Sequence, residues 1–551
     1  VTGFVPGRGH LAAGGGLALG ATLGLGASAD AATFTVTNLS DGAAPGPAGS
    51  LRNALTQANA TPAPDTVNFA SGLTGTIHLA STLSMVPYPI DLQGPGADKV
   101  TISGGNSVRD LIAGCLCGAA PTFSISGLAL ADGAATSGGA ITTLVANLSI
   151  SDSVLTGNTA TNTGSADAYG GAIQFVNSMA YPRTLKVSNS VISNNKVFVD
   201  TGGAVGGGIF SSYGTVQIAN STVSGNSTEN GFGSGVYVSS GSLAMSGSTV
   251  SGNTSASSGG GIRLGYSTAD STISDSTIAN NTGFYGAGIR LPNSQGHSLT
   301  ITGSTIAGNA GSGASSSGGG LDVTNNSPHA LRDTIISGNS ASASPDIYDP
   351  PGLNTDVAFS LIGSPGGAHL NETVPGSNII GQSPQLGPLA ANGGPTQTMA
   401  LPSTSPAVDK GSSFGLTSDQ RGILRPIDFP GIANSAAAGA DGADIGAFEL
   451  APASSFKLGK LQRKKKKGTA LQTVKLSIPA AGKVTLKAKG IKTQTKNATA
   501  NGIVKLKLIA KGKVKKALKR KGKAKLKEKV TYSPTGATPS TLAKKVKLLK
   551  R

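Results

Sequence analysis

Tryptophan is absent from the 551 residues, Phe and Tyr together account for only 4%, and charged residues for 13%, about half the usual globular share. A chain so poor in bulky side chains cannot fill a wide spherical core, and at this length it divides into domains or extends as a repeat. Cys115 and Cys117 are the only cysteines. Their C-x-C spacing excludes a disulfide framework and leaves too few thiols for a structural zinc, so two small, half-buried residues are the simplest expectation. Acidic residues are nearly missing from one end: from Lys457 to Arg551, 31 Lys and Arg face Glu528 alone, a net +30, whereas the remainder carries 13 basic and 25 acidic residues, a net −12. What is plentiful is glycine, 81 residues, together with Ser, Thr and Asn. That composition suits a thin solenoid, in which each layer buries a few aliphatic side chains and the turns need Gly or Asn.

The first residues run from Arg8 and His10 into a Gly-Ala-Leu stretch, Leu11 to Gly26, and then into small residues. This pattern predicts a secretory signal over residues 1–31, with small-x-small sites at Ala27-Ser28-Ala29 and Ala29-Asp30-Ala31. The stretch is too short and too glycine-diluted for the ~20 apolar residues of a membrane span.

A pattern of aliphatic-x-aliphatic-x-x-Ser/Thr-x-aliphatic-x-x-Asn recurs seven times, ending at Asn158, Asn195, Asn226, Asn253, Asn281, Asn309 and, in a degenerate copy, Asn339. Each copy follows a small-residue run closing on an aliphatic, as in Gly138-Gly-Ala-Ile141, Gly170-Gly-Ala-Ile173, Gly206-Gly-Gly-Ile209 and Gly259-Gly-Gly-Ile262. Within a copy such as Leu299, Ile301 and Ile306 the apolar period is two, which means short strands with one aliphatic face and no helix-length stripe. Repeats of 27 to 31 residues built this way predict one coil of a parallel β-helix each, stacked ~4.8 Å apart. The recurring Asn tolerates left-handed turn geometry and is expected to stack as an internal ladder. At the N-terminal end Leu51, Ala54, Leu55 and Ala58 share one helical face with Ser50 as N-cap, a short helix suited to covering the open end of the solenoid.

Several of these segments are similar to known families. Thr33-Phe-Thr-Val-Thr-Asn38 with Gly49-Ser-Leu-Arg-Asn-Ala-Leu55 resembles the N-terminal motif of exported bacterial proteins named for Cys-Ser-Leu-Arg-Glu-Ala, with Gly49 and Asn53 in place of its Cys and Glu. The Gly-Gly-Ala-Ile runs with a trailing Asn resemble the repeats of polymorphic outer membrane proteins. Asn392-Gly-Gly-Pro-Thr-Gln-Thr398, Ser405-Pro-Ala-Val-Asp-Lys-Gly411, Asp419-Gln-Arg-Gly422, Arg425-Pro426 and Asp444-Ile-Gly-Ala-Phe-Glu449 follow one another in the order of a choice-of-anchor (type Q) module. The resemblance implies a surface-displayed β-helix protein and no particular reaction. Asp409, Asp419, Arg421, Arg425, Asp444 and Glu449 are expected to pair as partly buried bridges that fasten a C-terminal cap.

Beyond Leu450, Val474-Lys-Leu-Ser-Ile478, Lys483-Val-Thr-Leu-Lys-Ala488 and Val504-Lys-Leu-Lys-Leu508 alternate aliphatic residues with Lys, which predicts strands with one buried and one Lys-covered face. The expected organisation is therefore all-β: a signal peptide (1–31), an N-terminal strand and capping helix (32–64), a right-handed parallel β-helix (65–390), a choice-of-anchor-like C-terminal cap module (391–450), a basic linker (451–470) and a small Lys-rich β-sandwich (471–551).

Catalytic chemistry finds little support. Glycosidases need two carboxylates ~5 to 9.5 Å apart, and Asp152 and Asp275 share a repeat position four copies apart. Arg263 and Arg290 form the only stacked cations, with no acidic cluster facing them by register. His10, His78, His297, His329 and His369 lack metal-ligand spacing or triad partners, and Asp346 and Asp349 read as loop caps before they read as cation ligands. No catalytic, cofactor or metal residue is assigned. The reading is an exported, monomeric, non-catalytic surface protein whose +30 tail meets anionic cell-envelope polymers or lipid headgroups, with extracellular polysaccharide along the solenoid as a further partner. Nucleic acid is not expected, because Phe456 and Tyr532 are the tail's only aromatics. The competing reading is a polysaccharide lyase or glycoside hydrolase, which fold alone does not decide.

Overall fold

The computed structural model describes residues 30–114, 121–293, 296–324, 328–429, 431–451, 456–463, 469–476, 482–499, 502–534 and 539–549. The signal reading (residues 30 and 31 excepted), Cys115, Cys117 and His10 fall outside them. From Thr33 to Ile380 the chain is a right-handed parallel β-helix, and its most regular face is a 12-stranded parallel sheet. At ~4.8 Å per step that stack is roughly 50 Å long.

One coil shows how the sequence writes the fold. Ile262–Ser267 and Ser271–Ser274 lie in the first, 21-stranded sheet, Thr277–Ala279 in the second and Thr282–Gly283 in a third. The bends between them fall on Asp275 and Asn280, both at positive φ (43° and 57°), a conformation Asp and Asn tolerate through their short polar side chains. Ile262, Leu264, Ile273 and Ile278 point inward and are fully or almost fully buried; each meets its equivalents in the neighbouring coils, giving one continuous aliphatic core. Gly261 opens the coil, just before Ile262. A Cβ there would stand 2.6 Å from the Gly288 carbonyl oxygen and 3.0 Å from Asn281 Nδ2, so only glycine fits so near the ladder.

Two hydrogen-bonded ladders run through this core. Asn158, Asn195, Asn226, Asn253, Asn281, Asn309 and Asn339 are all buried, and each of the first six donates from Nδ2 to Oδ1 of the next at 2.9 Å. The ladder ends on Asp346, whose Oδ1 accepts from Asn339 N (3.1 Å) and Nδ2 (2.8 Å) while Oδ2 accepts from Ser364 N at 2.6 Å. Ser153, Ser190, Ser221, Ser248 and Ser276 form the second, each backbone N–H donating to the next coil's Oγ at 3.1–3.2 Å.

The N-terminal end is closed by α1 (Leu51–Ala58). Ser50 Oγ accepts from Asn53 N, and Leu51, Ala54, Leu55 and Ala58 join the aliphatic core. Arg52, not singled out in the sequence, is also buried; it forks onto Asp41 (2.7 and 2.8 Å) and reaches the Ser81 and Thr82 carbonyls.

The cap expected at residues 391–450 does not sit on the end of the solenoid. It lies along the flank, on the outer face of the second sheet. The outward row of that sheet is Thr249, Thr277, Thr305, Ile335 and Leu361, in register and fully or almost fully buried. Threonine hydroxyls at one per coil offer polar partners. Thr249 Oγ1 donates to the Gln397 carbonyl and Thr277 Oγ1 to Gln420 Oε1, both at 2.6 Å, while Thr305 Oγ1 accepts from Ala447 N at 3.0 Å. Ile335 and Leu361 pack against Leu401, Val408, Ile445 and Phe448.

The Lys-rich domain has its own core, built on Val474, Val484, Leu486, Leu506, Leu508, Val530 and Tyr532. Two four-stranded antiparallel sheets enclose it. The region expected to be a basic linker contributes strands Phe456–Leu458 and Gln462–Arg463, because Phe456 and Leu458 pair with Leu476 and Val474. A helix, α2 (Gly512–Lys521), was also not foreseen: its lysines mask Val514 and Leu518, four residues apart, which turn toward that core.

Candidate binding surfaces

Three surfaces carry polar or charged groups beyond what the fold needs. The first is the outer row of the first sheet, where the register aligns Thr142, Gln174, Phe210, Tyr237, Arg263, Arg290, Asp322 and Tyr348 in successive coils. A parallel row at the adjoining corner holds Tyr169, Val205 and Phe232, and further on Ser258, Tyr285 and Ser317. Tyr169 and Phe210 stack with ring centroids 4.6 Å apart. The Arg263 guanidinium lies over Phe232 (4.9 Å) and Tyr237 (5.4 Å), and that of Arg290 over Tyr285 (5.0 Å). Asp322, fully buried, bonds Arg290 at 2.5 Å. A single acid thus faces these arginines by register, although no acidic cluster does among the described residues: Asp322 is one coil beyond Arg290. Burial outweighs Arg290 and pushes the Asp322 carboxyl up to about 6.

The second surface is the seam between solenoid and flank module. Arg425, fully buried, bonds Asp333 at 2.7 Å and Glu449 at 3.1 Å, and donates to the Gly446 carbonyl. Asp333 belongs to the degenerate repeat copy and was not foreseen as a partner. Arg421 forks onto Asp419 (2.9 and 2.7 Å). Asp409 and Asp444, expected to form bridges, instead accept backbone N–H groups: Asp409 from Phe429, and Asp444 from Asp409 and Leu450. One guanidinium amid several buried carboxylates cannot neutralise them all, so burial holds the Asp444 proton well above the usual range and pushes Glu449 up to about 7. A polar cavity of about 270 Å³ opens beside this seam, lined by Asn220, Gly247, Asp275, Asp419, Gln420 and Arg421 among others. Burial pushes Asp275 up to about 7 there. Both Asp419 oxygens are spent, however, on Arg421 and on the N–H groups of Arg421, Ile423 and Glu449. The cavity therefore offers a single unengaged carboxyl, not the pair that glycoside cleavage requires.

Most of the remaining candidates have structural partners. Asp349 accepts from His369 N and Thr355 Oγ1, and His329 Nε2 meets Thr355 Oγ1 at 2.7 Å. Asp152 is exposed at its bend, and His297 lies 3.8 Å from Asp270. Among the described residues no group of three or more His, Cys, Asp or Glu is placed to hold a metal ion, and no helix is long and apolar enough to cross a membrane.

The third surface is the hairpin Lys523–Pro534 and Ser540–Leu549. Its register sets Lys525 opposite Lys547 and Lys527 opposite Lys545, all four exposed, around a groove of about 600 Å³ floored by Leu526 and Val546. Glu528, the domain's one acid, is buried and faces Lys544 across the strands; burial pushes its carboxyl up to about 7.

Residues 206–328 match the family model described as a right-handed β-helix region. They include the coils of Asn226, Asn253, Asn281 and Asn309 and the part of the aromatic–arginine row from Phe210 to Asp322. No curated protein matches the chain.

Proposed function

We propose that the protein is an exported, surface-displayed, non-catalytic β-helix, held to anionic cell-envelope polymers or lipid headgroups by its Lys-rich domain. The choice-of-anchor-like motifs and the signal-like leader support display outside the cell. The observation that carries attachment is the pairing of lysines on the C-terminal hairpin, Lys525 with Lys547 and Lys527 with Lys545, with no exposed acid to neutralise them. Like charges set directly opposite across strands destabilise a sheet, so a surface built this way calls for an external anion. The test is retention on isolated cell envelopes of the full chain against a chain ending at Leu450. Retention of the full chain alone is expected; equal retention of both removes the attachment role. The polar cavity beside the flank module offers one unengaged carboxyl and not a pair, which favours this reading over glycoside cleavage. Incubation with uronates, pectins and neutral glycans is accordingly expected to release no reducing ends and no unsaturated products.

A further inference from the structure

The aromatic–arginine row holds features that the solenoid itself does not require. In the coil of Arg263 the corner residue is Ser258, a small side chain between Phe232 one coil before and Tyr285 one coil after, each ring 37% exposed. The guanidinium of Arg263 occupies that notch, donating from Nη1 to Ser258 Oγ and stacking on Phe232 and Tyr237. Arg290 stands directly in register with it, so two positive charges lie one coil apart. Asp322 compensates only one of them and is engaged with Arg290. The Nε groups of both arginines are buried without a hydrogen-bond partner, and Nη2 of Arg263 makes no hydrogen bond to the protein.

From this geometry we infer that Arg263, with Phe232, Tyr237, Tyr285 and Arg290, binds an acidic sugar residue of a glycan lying along the solenoid. The carboxylate takes Nη2 of Arg263, which no protein acceptor engages, in a charge-assisted hydrogen bond, while the buried Nε stays out of its reach. The exposed rings of Phe232 and Tyr285 pack against sugar C–H groups, whose partial positive charge suits the negative face of an aromatic ring. One surplus positive charge in eight coils matches a chain with isolated carboxylates. A single-stranded nucleic acid, with a phosphate on each nucleotide, would meet the net negative charge of the remaining solenoid. The site is separate from the Lys-rich hairpin and stands whether or not that hairpin attaches the chain.

The experiment uses the full-length protein in about 0.3 M salt, where attraction by the tail is partly screened. A hyaluronan tetrasaccharide, chitotetraose and hexathymidylate are titrated, with saturation transfer from aromatic protons to ligand as the readout. The signal reports binding anywhere on the protein, and the two sets of variants, solenoid and hairpin, assign it to its surface. Binding of the acidic tetrasaccharide is expected, weakened about tenfold in Arg263→Gln and measurably in Phe232→Ala. It should be unchanged in the Lys525→Gln/Lys527→Gln/Lys545→Gln/Lys547→Gln variant. Equal binding of chitotetraose, preference for hexathymidylate, indifference to both solenoid substitutions, or loss in the lysine variant alone would each overturn the inference.

Discussion

The Asn253 side chain makes four hydrogen bonds inside the core: Nδ2 donates to Asn281 Oδ1 and to the Val223 carbonyl, and Oδ1 accepts from the N–H and Nδ2 of Asn226. Replacing it with Ala leaves the Asn226 donors and the Asn281 acceptor without this partner, so a loss of about 1–3 kcal/mol is expected in denaturant unfolding. An unchanged midpoint would mean that the ladder contributes nothing. Asp110 gives a second prediction, through pH. Burial, with Asp132 nearby, pushes its carboxyl from 3.8 up to about 9. The fold then holds this proton more tightly than the open chain does, so its contribution is complete below the unfolded value of about 4 and is lost as pH climbs toward 9. Asp110→Asn should remove that loss, and its unfolding free energy should fall less steeply than the parent's between those limits. These residues differ in how far the sequence reveals them. The Asn ladder is legible because one residue type recurs at coil spacing. The Ser ladder left only a Ser/Thr in the consensus, its role hidden until the strands are stacked. Asp322 was invisible because 32 residues separate it from Arg290, whereas only 27 separate Arg290 from Arg263, and the register cannot be carried through the longer loop.

At the level of elements, the flank module depends on one guanidinium and on one absent side chain. Arg425 reaches Asp333 past Gly303, whose φ is +56° and whose Cβ would stand 2.9 Å from Arg425 Nη1. Arg425→Ala leaves Asp333 and Glu449 buried without their cation, which typically costs about 3–5 kcal/mol. Limited proteolysis is expected to cut between Pro384 and Leu450 in this variant while the Asn-ladder coils stay protected. Gly303→Ala, strained in backbone and too close to Arg425, should give the same cleavage pattern. Protection of the module in both variants would show that the threonine track and the Ile335–Leu361 contact hold it without Arg425. The module's charged residues are plain in the sequence. Its place on the flank is not, because Thr249, Thr277 and Thr305 become a track only after coils of 28 residues are laid one on another. A linear reading sees three unrelated threonines. The helix α2 was hidden for a related reason: ten residues holding six Lys or Arg read as a solvated run until Val514 and Leu518 are seen to share a face.

Across the whole molecule, opposite charges are kept apart: an acidic solenoid roughly 50 Å long and a domain with one buried acid among its lysines. If the lysine hairpin exists to meet an anion, its substitutions should move binding and stability in opposite directions. Paired lysines across strands are ~5 Å apart, well inside the ~10 Å screening length at 0.1 M salt, so they repel one another while empty and act together on a polyanion. At 1 M salt that length falls to ~3 Å, and retention on cell envelopes should fall with it. Changing Lys525, Lys527, Lys545 and Lys547 to Gln is expected to weaken retention at low salt. The same change should stabilise the domain by a few tenths of a kcal/mol per relieved pair. Changing the four to Arg keeps the charge and should preserve both retention and its salt dependence. A solubility device predicts otherwise: retention indifferent to salt and to the Gln variant, with aggregation as the only consequence. Weaker binding from a more stable domain is the combination that only a surface shaped for an external anion produces.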